Sequence, residues 1–364
     1  MSLTFASWIV VDRSRAPRTV VIEVSTRCNL SCRHCFRRFS RLEERLMDSA
    51  TLREVIDQCV SLGVERVVFT GWGEPTTHPR LLDAVQELKE RGVEVAINTN
   101  GTTLESVADE LVELGVDEVI VSLEAFDPGR YEEIRGVSMD RVVGGLEALK
   151  AFREARSSRR PRIVTHFVVT RSNVDELRSF PDFAKRFAVS KLVVSHLVPL
   201  TASMERELAC FSDPACVERL ERVLEEISKY MFSHYFEVYT PSSRPRIERR
   251  CPYAWASATF VGVDGYISPC IFYAHDTRYS FDSIERTIKR ITFGHISDGL
   301  ENVWRSKDYV EFRARAALSL MPSCLDCKLA HYCEPTLSNE RDCWGNTPTC
   351  SHCPFSHGLA VCPL

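Results

Sequence analysis

The chain has 364 residues, with 46 Lys and Arg set against 50 Asp and Glu for a net charge of −4. That length accommodates two or three domains with a sizeable core, and the charge balance carries no footprint of a nucleic-acid or other polyanionic partner. No apolar run approaches the ~20 residues of a membrane span, and fifteen cysteines without a recognisable secretory leader point to metal ligation rather than disulfides.

Residues 1–17 form an N-terminal segment with neither the basic start nor the long apolar stretch of a signal peptide. Strand-like apolar runs then recur at 20–24, 66–70, 93–98, 118–123, 163–169 and 191–197. Helical patterns lie between them. Leu52, Val55, Ile56, Cys59 and Val60 share one face, as do Leu81, Leu82, Val85 and Leu88, and then Leu104, Val107, Leu111 and Leu114. Repeated strand–helix units predict an α/β domain with a parallel sheet and helices outside it over 18–200. Cys59, on an apolar helix face, reads as a small buried hydrophobe.

Cys28, Cys32 and Cys35 follow the first strand in VIEVSTRCNLSCRHC. Three thiolates so close together can hold three irons of a four-iron, four-sulfur cube. The fourth iron is then open, as one position is in catalytic metal sites. A zinc site would need a fourth ligand, and His34, between two of the cysteines, is poorly placed to be one. The second strand ends in Thr70-Gly71-Trp72-Gly73-Glu74-Pro75, where glycine permits close backbone approach. The third ends in INTNG (97–101) and the fourth in VSLEA (121–125), and Asp127-Pro128 looks like the start of the next helix. Arg37, Arg38 and Arg41 make either a solvated face or a dock for an anionic substrate or an electron-donor protein. His166 in IVTHFVV and His196 in LVVSHLVP either bind substrate inside the sheet or are hydrogen-bonded core histidines.

The triad, with the Gly-Glu-Pro turn about forty residues later, resembles the signature of the radical S-adenosylmethionine (SAM) enzymes. The resemblance covers about 18–200. It implies a partial (βα)6 barrel with its site at the C-terminal ends of the strands. It also implies a 4Fe-4S cluster whose open iron chelates SAM and whose electron splits it to a 5′-deoxyadenosyl radical. Gly71, Gly73, Glu74 and Pro75 match the family segment that accepts from the methionyl ammonium, with Trp72 in place of one glycine. Asn98 or Asn100 is implied near the sulfonium, Ser122 and Glu124 near the ribose or methionyl carboxylate, and His34 near adenine. A ferredoxin or flavodoxin is the implied reductant, in an anaerobic cytoplasm.

Residues 201–250 read as a linker with a helix from about 214 to 232 (Val217, Leu220, Val223, Leu224, Ile227, Met231) and a basic stretch, PSSRPRIERR. Cys210 and Cys216 in this linker fit no ligand spacing. From 251 to 364 the chain is cysteine-rich: Cys251, Cys270 in DGYISPC, then Cys324-x2-Cys327-x5-Cys333, then Cys343, Cys350, Cys353 and Cys362. This pattern, with FGHISDGLENVWRS, resembles the SPASM extension of radical-SAM maturases, which carries up to two auxiliary 4Fe-4S clusters. The family's next cysteine is replaced by Leu337. The extension's interleaving implies that Cys324, Cys327 and Cys333 share one cluster with Cys353 or another late cysteine. Cys251, Cys270 and Cys343 then share the other, whose iron is open to substrate if no fourth thiolate joins them. Zinc in a ribbon-like fold is the competing reading, because Cys-x2-Cys pairs suit both metals.

The ending DCWGNTPTCSHCPFSHGLAVCP and the early TRCNLSCRHCFRRF are similar to the radical-SAM/SPASM maturases associated with tungsten-dependent aldehyde oxidoreductases. That subgroup implies a role in finishing a tungsten-pterin cofactor or its oxidoreductase. Two alternatives stay open. One is radical modification of a ribosomal peptide or enzyme side chain, of thioether or formylglycine type. The other is a zinc or iron–sulfur electron-transfer protein without SAM chemistry.

Overall fold

The computed structural model describes residues 3–5, 8–10, 16–40, 42–362 and 364; Arg41 of the basic stretch and the side chain of Arg38 lie outside what it describes. A short antiparallel pair, β1 (Leu3–Phe5) and β2 (Trp8–Val10), comes first. The expected strands follow as β3 (Thr19–Ile22), β4 (Arg66–Phe69), β5 (Glu94–Thr99), β6 (Glu118–Ser122), β7 (Arg162–Val169) and β8 (Val189–His196). They pair in parallel in that order. Helices α1 (Ser49–Ser61), α2 (Leu81–Glu90), α3 (Leu104–Glu113), α4 (Pro128–Arg135), α5 (Asp140–Ala155) and α6 (Phe180–Phe187) lie between them in the chain.

Local chemistry sets the helix ends. Asp48 caps α1 by accepting from the backbone N–H groups of Ala50 and Thr51. Asp127 caps α4 by accepting from Arg130 N, with Pro128 at the first helical position and Gly136 in the left-handed conformation at the end. Strand residues of one parity, such as Val20, Val67, Val95 and Val119, pack with the apolar helix faces, and Cys59 is one of that core. Residues of the other parity, such as Val21, Val68 and Ala96, or Ile120, Val164 and Val193, form separate interior groups. Both sheet faces are therefore covered, as a parallel sheet requires.

The C-terminal region is not a detached unit. β10 (Ala258–Val261) pairs in parallel with β3, and β11 (Tyr266–Ser268) and β14 (Gly294–His295) continue outward antiparallel. At the other edge the linker supplies β9 (Glu237–Tyr239), parallel to β8. The result is a ten-stranded sheet, beside which β12 (Thr277–Phe281) and β13 (Ile284–Ile288) form a separate hairpin.

Two expectations for the linker need correction. After α7 (Ala202–Leu208), the helix expected to reach 232 stops as α8 (Pro214–Ser228), and a separate turn, α9 (Met231–His234), follows. Ser228 donates back to Leu224 O at 2.6 Å, a bond that competes with helix continuation. Cys210 and Cys216 are bonded to each other, so the argument from cysteine count against disulfides fails for this pair.

The tail decides the shape of the site. Backbone bonds Ser242 N to Gly358 O (2.7 Å), Arg246 N to His357 O (2.8 Å) and Arg250 N to Ser356 O (2.9 Å) lay it along the segment before Cys251. It then enters the barrel. His196 N donates to Leu359 O at 3.2 Å, and Val361 N donates to Ser195 Oγ at 3.0 Å. Val361 packs on Ile120, Val164 and Val193. Cys362 and Leu364 pack in the group of Val21, Val68 and Ala96.

Candidate active site

The loop after β3 brings Cys28, Cys32 and Cys35 to one cavity of about 250 Å³, and the ends of β4 to β8 and parts of the C-terminal region supply the rest of its wall. His34, Gly71, Gly73, Glu74, Asn98, Asn100, Ser122 and Glu124 all line it, as do His166, His196, Ala360 and Val361. Pro75 does not. It is the buried first residue of a helical turn, Pro75–Thr77, where its fixed φ starts the chain away from the site.

The Glu74 carboxylate is held by the protein's own donors. Oε1 accepts from Thr76 N (3.2 Å), Thr76 Oγ1 (2.7 Å) and Thr99 Oγ1 (2.7 Å). Oε2 accepts from Asn100 N at 2.7 Å. With four protein donors already on it, the side chain staples the end of β4 to the end of β5, although burial pushes its pKa above the ordinary carboxylate range. The glycines are needed for closeness. A Cβ on Gly73 would lie 2.3 Å from Ser25 O, and one on Gly71 would lie 2.4 Å from Glu23 Cγ. Trp72, at the odd position of the motif, donates through N to Glu23 Oε1 (2.7 Å) and through Nε1 to Ile271 O (3.0 Å). Its ring sits between Phe36 and His275. It thereby joins the triad loop to the C-terminal region, helped by a 2.7 Å contact between His275 Nε2 and Glu23 Oε2.

Asn98 Oδ1 accepts from Ser122 Oγ at 3.3 Å. Asn100 Nδ2 donates to Asn29 Oδ1 at 2.8 Å and stands 3.8 Å from Cys28 Sγ. Arg135, at the last turn of α4, is a site residue that the sequence reading missed. It is 5% exposed. It pairs through Nε with Glu124, donates through Nη2 to Ser122 O (2.7 Å), and brings Nη1 within 3.6 Å of Cys32 Sγ. Burial alone would push Glu124 up, but the Arg135 guanidinium, with His34 at 3.5 Å, outweighs it and takes the carboxyl down to about 2. Burial pushes the Cys32 thiol up to about 11. A metal that binds there must displace its proton, and the adjacent guanidinium favours the thiolate that remains.

His166 stands in register with Ser122. Burial lowers its pKa, and its Nε2 has no partner. The His196 ring lies edge-on to Phe211 at 5.6 Å, and burial takes its pKa down to about 4. Arg37, also on the cavity wall, is paired with Glu44 at 2.9 Å rather than simply solvated.

The late cysteines fall into two groups, and the split differs from the expected interleaving. Cys251, Cys270, Cys350 and Cys353 line a second cavity of about 30 Å³, with Cys362 beside Cys251 and Cys353. Cys324 instead neighbours Cys343 and Cys333, and the exposed Cys327 follows Cys324 by three residues. Cys343 and Cys353 therefore change places relative to the expectation. Asp342 is the cause. It accepts from Trp344 N, Asn346 N, Thr349 Oγ1 and Ser351 Oγ, closing a tight turn. Cys324 N donates to Ser351 O at 2.9 Å, which clamps that turn beside Cys324. Cys350 and Cys353, on either side of that clamp, face Cys251 and Cys270, and residues 356–358 then run along 242–250.

Both groups, like the triad, offer thiols alone, a donor set that suits an iron–sulfur cube. Buried polar groups without partners mark both places. Tyr273 Oη is one, amid Cys251, Cys270, Cys350 and Cys353. Arg286 Nε and Nη2 are others, near Cys324. Such orphans require an acceptor that the protein does not supply.

Residues 22–184 match the model of the radical SAM superfamily, and residues 251–328 match that of an iron-sulfur cluster-binding domain. The chain is 30% identical over 354 residues to the tungsten-containing aldehyde ferredoxin oxidoreductase cofactor-modifying protein of Pyrococcus furiosus, covering 94% of this chain and 96% of that one. It is 29% identical to a probable GTP 3′,8-cyclase of Sulfurisphaera tokodaii over 72% of this chain and 84% of the cyclase. In fold it is similar to Streptococcus suis SuiB bound to S-adenosylmethionine (TM-score 0.63, 20% identity, 88% of this chain and 73% of that one). It is also similar to anSMEcpe with bound AdoMet (TM-score 0.62, 18% identity, 94% and 93%). No helix among the described residues is long and apolar enough to cross a membrane.

Proposed function

The chain belongs to the radical SAM enzymes, and from that premise we propose that it is a maturase acting on the cofactor, or the polypeptide, of a tungsten-dependent oxidoreductase. One observation carries the reading. The likeness to the Pyrococcus furiosus cofactor-modifying protein covers 94% of the chain, more than the two family models span together. The cyclase relative, by comparison, matches over 72%.

When bound, the cluster and SAM supply an electron and a 5′-deoxyadenosyl radical able to abstract hydrogen. The chain's own residues do the rest. Cys28, Cys32 and Cys35 hold three irons, and Arg135 stabilises the Cys32 thiolate. Asn98, Asn100 and Ser122, with the backbone of Thr70 to Gly73, orient SAM, while Glu74 and Glu124 fix the strand ends that carry them. Trp72, Phe272, Phe355 and Val361, all on the cavity wall, exclude water from the reacting groups. Cys251, Cys270, Cys350 and Cys353 hold an inner auxiliary cluster, and Cys324, Cys327, Cys333 and Cys343 an outer one. A ferredoxin or flavodoxin in the cytoplasm provides the electron.

The test is co-expression of this chain with a tungsten-dependent oxidoreductase under anaerobic conditions, followed by mass spectrometry of the oxidoreductase's extracted cofactor and polypeptide. A mass difference that depends on the chain and disappears with Cys28→Ala is expected. Identical masses with and without the chain would overturn the proposal. A modified small ribosomal peptide in its place would favour the peptide alternative.

A further inference from the structure

The hairpin of β12 and β13 carries Arg286, which is 1% exposed. It faces its cross-strand partner Tyr279, with the guanidinium 6.0 Å from the ring centre. Nη1 donates to Phe281 O (3.1 Å) and Ile284 O (2.9 Å), while the buried Nε and Nη2 have no acceptor. Among the described residues no carboxylate lies within ion-pair distance of this guanidinium, and Glu205 and Asp282 act on it only from farther off. A buried cation with two idle donors is costly unless an anion sits against it.

The surroundings say where that anion belongs. The loop after Cys333 is fastened to this strand. Thr287 bridges to Ser338, and Lys289 and Asn339 exchange two hydrogen bonds of 2.7 Å each. The Arg286 guanidinium and the Cys324 sulfur lie within electrostatic reach of each other. His352 lies nearby, fully buried with neither ring nitrogen partnered, and the Thr336 hydroxyl is beside Cys324. A cation near the inner group is differently placed. Arg249 spends its N–H groups on the carbonyls of Pro322, Ser319 and Met321.

We propose that Arg286 is the electrostatic anchor of the outer cluster, its idle Nε and Nη2 donating to cluster sulfur and its fixed charge raising that cluster's reduction potential. An added electron makes a cluster more negative, so a buried cation in contact stabilises the reduced form over the oxidised one. Hydrogen bonds to sulfur act in the same direction, and such contacts are among the levers that set cluster potentials. The inference rests on the cluster reading of the Cys324 group.

Reconstituted full-length protein separates the two claims. Iron and labile sulfide are counted in wild type, Cys324→Ser and Cys343→Ser, and in Arg286→Gln and Arg286→Lys. Potentials come from electron paramagnetic resonance of samples poised with mediators. Arg286→Gln should keep its iron and shift one auxiliary signal at least tenfold toward the oxidised form at fixed potential, about 59 mV for one electron. Arg286→Lys should restore most of that shift. Loss of the outer irons in Arg286→Gln but not in Arg286→Lys also supports the anchor. Unmoved potentials in both variants, or loss of iron in both, overturn it. Wild-type iron that neither cysteine variant reduces overturns the cluster reading beneath it.

Discussion

Replacing Glu74 by Gln changes one atom and separates two accounts of this residue. Both carboxylate oxygens face backbone N–H groups, Thr76 N at Oε1 and Asn100 N at Oε2, and hydroxyl groups complete the set. The hydroxyls can turn to accept, but the two amides cannot. Whichever way the new carboxamide is placed, its NH2 opposes one of them. A buried donor left facing a donor costs about 1–3 kcal/mol, and the bonds lost are charge-assisted ones worth about 1.5–3 kcal/mol. A loss of about 3 kcal/mol in stability is therefore expected, measured by urea unfolding of the reduced, metal-free chain. SAM binding to the reconstituted protein should weaken by a smaller factor, through displacement of Asn100. Unchanged stability, within about 0.5 kcal/mol, together with lost SAM binding would refute the staple and return Glu74 to the role of a direct ligand.

Gly73→Ala should prevent formation of the triad loop, since its Cβ would meet Ser25 O at 2.3 Å and Arg27 O at 2.5 Å. Iron content after reconstitution reads the effect, and Gly63→Ala, whose new Cβ meets no atom within 4 Å although its φ of 70° strains the backbone there, is the control that should lose some stability and retain its iron. Glu118 at the other end of the barrel is held below the ordinary glutamate range. Burial opposes this, but Arg66, Lys191 and Arg162 outweigh it. Its stabilisation is present above the unfolded value near 4.5 and is lost as pH falls through the depressed folded value. Glu118→Gln should thus cost about 1.5–3 kcal/mol at pH 7 and flatten the acid limb of a stability–pH curve. An unchanged acid limb counts against the pairing. Cys343→Ser should remove iron from the same cluster as Cys324→Ser, and Cys353→Ser from the same cluster as Cys251→Ser. Mössbauer spectra of single and paired variants show whether the losses coincide, and the reverse grouping would contradict the Asp342 turn.

What was legible in the sequence was local. An apolar run in each strand, an apolar helix face, a proline after an aspartate and three closely spaced thiols each act over a few residues. Those features point to β3 to β8, the N-cap of α4 and the place of the triad. The remaining site features come from contacts between distant positions. Arg135 and Cys32 are 103 residues apart, and Glu23 and His275 are 252 apart. An arginine in the last turn of a helix reads as a solvated charge, and only the fold turns it inward. The partners of Glu74 at Thr99 and Asn100 belong to the end of the next strand, so its part in joining the two strand ends has no local signal. The expected grouping of Cys343 and Cys353 follows the extension's interleaving. Asp342 sorts them by a turn whose other residues carry no metal-binding signature. The passage of Val361 and Cys362 into the barrel has no local signal either, because a short apolar run after a histidine fits any loop.

The central claim is that Cys28, Cys32 and Cys35 hold a cube with one iron left open to SAM. The direct measurement is electron paramagnetic resonance of anaerobically reduced protein before and after SAM, on a variant with Cys251, Cys270, Cys324 and Cys327 changed to Ser so that only the triad retains its full set of ligands. The account predicts a cluster signal that changes when SAM is added, 5′-deoxyadenosine in the quenched sample, and neither in the same protein carrying Cys28→Ala. A signal indifferent to SAM, or 5′-deoxyadenosine that survives Cys28→Ala, would contradict it.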